Sequence, residues 1–138
     1  MELSDLKKFV DYKIESNCSL LYYRWKEESV EMNEDDYKLS ITFLLNLIKE
    51  HKLRNVISNQ LDKKFTIGLS IQDWMANLFK AVSGIGVEKI AFIESTELMI
   101  QLSLQQSVEE SMKFQDKTSV LFFKTEKDAY KWILDKKE

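Results

Sequence analysis

Ser70-Ile71-Gln72-Asp73-Trp74-Met75-Ala76-Asn77-Leu78-Phe79-Lys80-Ala81-Val82, closed by Gly84 and Gly86 and followed by Lys89-Ile90-Ala91-Phe92-Ile93, decides the fold. Ile71, Trp74, Met75, Leu78, Phe79 and Val82 recur at the three-and-four spacing of one helical face. Ser70 and Asp73 have the spacing of a capping box, and the glycines supply a stop. The five apolar-rich residues after it fit a strand buried on both faces, as strands of parallel sheets are. A helix feeding such a strand is half of a βαβ unit, and the same alternation extends in both directions.

Upstream, Asn55-Val56-Ile57-Ser58 is a short strand. The segment before it, Asn33-Glu34-Asp35-Asp36, sets a capping residue and three acids at a helix start. Tyr37, Ile41, Leu44, Leu45 and Ile48 give that helix its core face, and Lys49 and Lys52 close it. Earlier still, Phe9 to Ile14 and Leu20 to Trp25 are β-branched and aromatic, and Ser16-Asn17 between them turns the chain into a hairpin. Downstream, Leu98, Leu102, Leu104, Val108 and Met112 are expected on the core face of a third helix. Thr118 to Phe123 is the last strand. Thr125 and Asp128 cap a final helix whose core residues are Tyr130, Ile133 and Leu134. The order ββαβαβαβα predicts an α/β fold, a mixed sheet of about five strands with helices packed on it. Proline is absent and only three glycines occur, so no linker divides the chain, and residues 1–138 are expected to form one domain.

Composition narrows the function classes. With 138 residues, 44% hydrophobic and 12% aromatic, the chain has the means to bury a core and is not of the disordered class. One cysteine, Cys18, forms no internal disulfide. No run of about twenty apolar residues spans a membrane. The first residues lack the apolar stretch of a secretory signal, so a cytoplasmic location is expected. The net charge of −3 gives no general attraction to nucleic acid or anionic lipid. One histidine and one cysteine on different elements cannot make a zinc or iron site, and no Asp-x-Asp-x-Asp-Gly loop offers calcium a place. Neither a Gly-x-Ser-x-Gly elbow nor a Gly-x-Gly-x-x-Gly fingerprint occurs. No catalytic residue, metal or cofactor is therefore expected.

The whole order of elements carries a resemblance. Trp25 ends a strand before the helix of Tyr37; Val56-Ile57-Ser58-Asn59, Gln72-Asp73-Trp74 and Lys89 to Ile93 follow; Phe122-Phe123, Asp128-Ala129 and Trp132-Ile133-Leu134 finish. This resembles the short bacterial proteins of SpoIIAA-like fold, grouped with STAS and SEC14 domains. The resemblance implies a regulatory or protein-interaction module of STAS-like type, without catalysis. Antagonists of anti-sigma factors carry a phosphorylatable serine in an Asp-Ser-Ser-Gly-like turn. Here Ser70 stands instead in Leu69-Ser70-Ile71-Gln72, so that role does not carry over.

Two binding readings remain open on the residues. The connection Asn59 to Leu69 leaves the C-terminal end of a strand and enters a helix, the edge where ligands of open α/β sheets bind. Asn59, Asp62, Lys63, Lys64 and Ser70 are its candidate ligand or partner residues. The plainer reading of the same residues is that Ser70 caps, Asp62 and the lysines face water, and Phe65 pins the loop to the core. Trp25 and Trp132, with polar neighbours, are candidate partner anchors, or ordinary core. The implied partner is another protein or a second copy of the chain. The alternative is a small apolar or anionic ligand carried between the sheet and the helices of Trp74 and Leu102.

Overall fold

A computed structural model describes residues 3–66, 68–112 and 117–135. The elements run α1 (Leu3–Leu6), β1 (Val10–Glu15), β2 (Leu20–Trp25), α2 (Glu34–His51), β3 (Asn55–Asn59), α3 (Leu69–Gly84), β4 (Lys89–Ile93), α4 (Leu98–Met112), β5 (Ser119–Phe123) and α5 (Glu126–Leu134). Short 3-10 turns, Ser16–Cys18 and Glu27–Glu31, follow β1 and β2. The strands lie side by side in chain order, β1-β2-β3-β4-β5. Only β1 and β2 pair antiparallel, with Val10 opposite Trp25 and Glu15 opposite Leu20. The other three pairings are parallel, aligning Leu20, Asn55, Lys89 and Ser119 at one end. The α/β class and mixed five-stranded sheet are as the sequence predicts.

Each connection between neighbouring parallel strands carries one helix. Crossovers of a single hand put successive helices on the same face, and that is where α2, α3 and α4 lie. Tyr37, Ile41, Leu44, Ile71, Met75, Phe79, Leu104 and Val108 share a core with Leu21, Trp25, Val56, Ile90 and Phe92. The alternating residues Leu20, Tyr22, Ile57, Ala91 and Ile93 point to the other face, where Ala129 and Ile133 of α5 cover them. Ala91 and Ala129 have no exposed surface, and their small side chains let α5 lie close to β4.

Side chains cap the N-termini of α2 and α5. Asn33 closes a reciprocal capping box with Asp36: its side chain accepts from the Asp36 N–H at 2.8 Å, and Asp36 accepts from the Asn33 N–H at 3.1 Å. Thr125 accepts from the Asp128 N–H. The expected cap at Ser70 is corrected. Gly68 is the N-cap of α3 and has no side chain to offer, and Ser70 lies inside the first turn with its hydroxyl bonded to Glu34.

The core faces of α4 and α5 are corrected too. Leu98 and Leu102 are exposed, and Ile100, Leu104, Ser107, Val108 and Ser111 are buried. Serine can occupy that face because its own helix satisfies it: Ser107 donates to the Ser103 carbonyl at 3.0 Å and Ser111 to the Ser107 carbonyl at 2.7 Å. Leu134 is likewise exposed, and Ala129 takes the inner position.

Candidate functional site

The C-terminal ends of the parallel strands form one edge, where Arg24, Asn59, Ile93 and Phe123 align. The chain from Gln60 to Phe65 rises from the middle of it and is bound on both sides. The Gln60 N–H donates to the Ile93 carbonyl at 2.9 Å, extending the β3–β4 ladder. The Lys64 N–H donates to the buried Ser29 hydroxyl at 2.8 Å, and Lys64 Nζ pairs with Glu97 at 2.5 Å. Thr96 donates to the Leu61 carbonyl. Phe65 stacks on Tyr37 with ring centroids 4.9 Å apart, pinning the loop as expected.

Five of the seven candidate residues meet at this edge. Asp62 pairs with Arg24 at 3.2 Å, and Arg24 also holds Asp11. Asn59 faces the α5 side, donating to the Tyr22 hydroxyl at 3.0 Å and accepting from the Leu61 N–H. Lys64 faces solvent beside Glu97. Trp25 and Lys63 turn inward together. Ser70 stands apart, tied to α2 through Glu34. Trp132 lies on the opposite face of the sheet, against Phe123 and with Lys89 Nζ 5.2 Å from its ring centre.

Lys63 departs furthest from the ordinary. The side chain is 1% exposed, and its ammonium sits 5.0 Å from the ring centre of Tyr37 and 5.6 Å from that of Trp25. Trp25 and Tyr37 stack at 5.4 Å, and Trp74 approaches Tyr37 edge-on. Ring faces attract a cation but replace its lost hydration only in part. Burial therefore lowers the Lys63 pKa from 10.5 to about 7.

Beside this cage lies a cavity of about 60 Å³ between the sheet and helices α2 and α3. Its walls are Ile41, Leu44 and Ile48 of α2 and Met75, Phe79 and Val82 of α3; its floor is Val56, Ile90 and Phe92; Leu104 of α4 closes one side. Half-buried Leu45 and Leu78 complete the lining between the helices. The polar contributions come from Gln60, Tyr23 and the Tyr37 hydroxyl, which faces Met75 sulfur at 3.9 Å. Gln60 Nε2 donates to Ser58. Burial pushes the Tyr23 phenol up to about 12, against a hydrogen bond from Ser58 that favours its ionised form.

Two polar atoms here have no hydrogen-bond partner among the described residues: Trp25 Nε1 and Gln60 Oε1. Arg24 and Asn59 are partners in the β2–β3 register, so Trp25 and Gln60 are the next pair along, and alternation sends both to the helix-covered face. Lys63 is three residues on, its N–H bonded to the Gln60 carbonyl.

Gln60, Tyr23 and Tyr37 are the site residues that the sequence reading omits. Tyr23 alternates with Leu21 and Trp25, all inward, and in the register of β2 that placement was open to inference. Gln60 has no such signal, being one polar residue in a polar loop. The opposite face holds a second omitted cluster. Tyr22 donates to Glu126 at 2.8 Å, Tyr130 to Glu15 at 2.5 Å, and the two rings stack at 6.1 Å beneath Lys13. It ties α5 to the antiparallel end of the sheet.

Among the described residues no group of His, Cys, Asp and Glu is placed to hold a metal ion, and no helix is long and apolar enough to cross a membrane. Compared with protein-family models, with curated proteins and with solved structures, the chain matches none.

Proposed function

We propose that the chain is a non-enzymatic, STAS-like binding module whose occupant is a small molecule held between the sheet and helices α2 and α3. The observation that carries this reading is the cavity itself: a mainly apolar lining with polar groups at Tyr23, Tyr37 and Gln60, the last a buried side chain with an unspent acceptor. Native interiors leave few polar atoms unbonded, and an apolar pocket with one or two convergent polar groups is the usual form of a small-molecule site. Its 60 Å³ exceeds the space of a single water and falls well short of the several hundred Å³ that drug-sized ligands occupy. The ligand is accordingly small.

The SpoIIAA-like assignment rests on the element order and is supported by strands in sequence order with three successive helices on one face. Regulation through a protein partner or a second copy is the other reading. It is favoured by Leu98 and Met99, each 70% exposed at the start of α4 with Leu102 a turn further on.

Native mass spectrometry of protein purified without denaturation separates the two. Under the small-molecule reading an added small mass disappears on denaturation and is reduced in Leu104→Phe, which fills the cavity. A bare mass for both proteins, with a co-purifying chain lost in Leu98→Glu, transfers the function to the α4 surface.

A further inference from the structure

Three buried side chains beside the cavity, Trp25, Gln60 and Lys63, carry polar groups that no hydrogen bond or ion pair among the described residues satisfies. Trp25 Nε1 is a donor without an acceptor, and Gln60 Oε1 is an acceptor without a donor. Lys63 Nζ contacts the ring faces of Trp25 and Tyr37, and among the described residues no carboxylate is paired with it. Lysine is almost never this deeply buried unless paired. Two acids of the same edge are already committed, Asp62 to Arg24 and Glu97 to Lys64.

One class of ligand serves both donors. A carboxylate accepts from the indole N–H and from the lysine ammonium, while Gln60 Oε1, itself an acceptor, takes no part in holding it. Hydrogen bonds to a charged acceptor are the stronger kind. Tyr37 and Gln60 line the cavity while touching Lys63 by ring face and by backbone, so a head group held there directs its substituent among the side chains of α2 and α3. We infer that the site takes a short aliphatic monocarboxylate, its head on Trp25 and Lys63 and its tail in the cavity.

This inference rests on the small-molecule reading, and the test keeps the two apart. The full chain is titrated with butyrate and, separately, with butan-1-ol, in the wild type, in Lys63→Met and in Gln60→Glu. Methionine keeps the length and apolar stem of lysine at a buried site, and glutamate offers Lys63 a carboxylate from within. The expected result is that butyrate binds the wild type, that each substitution weakens it about tenfold or more, and that Lys63→Met leaves butan-1-ol unaffected. Butan-1-ol binding with no butyrate binding, or butyrate bound equally by all three proteins, overturns the carboxylate assignment and leaves the cavity as the site. Failure of both probes on the wild type overturns both readings. A fold lost in Lys63→Met leaves the comparison to Gln60→Glu, where undiminished butyrate binding overturns the assignment.

Discussion

Lys63 decides how the ligand-free protein responds to pH. Its pKa falls from 10.5 in the unfolded chain to about 7 in the folded one, so between those values the unfolded state binds the extra proton. The sign follows: stability is lowest at and below pH 7, where the folded protein holds a buried ammonium, and rises as the pH climbs toward 10.5. The full span is about 5 kcal/mol, at about 1.4 kcal/mol per pKa unit. Lys63→Met removes the buried charge and keeps the volume. It is expected to be more stable than the wild type by roughly 2–4 kcal/mol near pH 6, the margin shrinking by pH 9.5. Denaturant unfolding of both proteins at the two pH values measures this, and an equal margin at both would show that the ammonium is not buried. Nothing in Lys63-Lys64 distinguishes the two lysines on sequence. The difference arises because Lys64 reaches Glu97 across the edge while its neighbour is turned under Trp25 and Tyr37, a consequence of where the loop is anchored.

At the scale of elements, legibility followed periodicity. The helix of Tyr37 and that of Trp74 have broad apolar stripes, and the strands Leu20–Trp25 and Lys89–Ile93 are apolar on both faces; all are found where the sequence places them. Helix α4 shows the opposite case. Its leucines at 98 and 102 suggested a stripe, whereas the buried face is spelled partly in serine, whose burial depends on hydrogen bonds to carbonyls one turn back. Hydrophobicity alone does not reveal such a face. The two faces differ sharply in consequence. Ile100→Ala, at a position 3% exposed, is expected to cost 2 kcal/mol or more, on the order of other large-to-small core changes. Leu98→Ala, on the exposed face, is expected to change stability by no more than about 0.5 kcal/mol. Equal losses in thermal or denaturant unfolding would mean that α4 is rotated from the orientation described.

For the whole molecule, one arrangement accounts for fold and site together. Strands in chain order bring α2, α3 and α4 to one face, and the cavity lies where α2 and α3 cover the sheet, beside the loop that follows β3. The other face is closed by α5 through its alanine contact and the Tyr22–Glu126 and Tyr130–Glu15 hydrogen bonds, so the proposed ligand site is on the helix-covered face. The edge carrying the site was visible in the sequence as the long connection out of a strand. The cavity was not, because it depends on how side chains from six elements fail to fill a shared space. The most direct test is methyl NMR of the protein titrated with butan-1-ol. The shifts are expected to concentrate on Ile41, Leu44, Ile48, Val82, Ile90 and Leu104 and to vanish in Leu104→Phe. Shifts centred instead on Leu98, Met99 and Leu102 would contradict the account and place the functional surface on the outer face of α4.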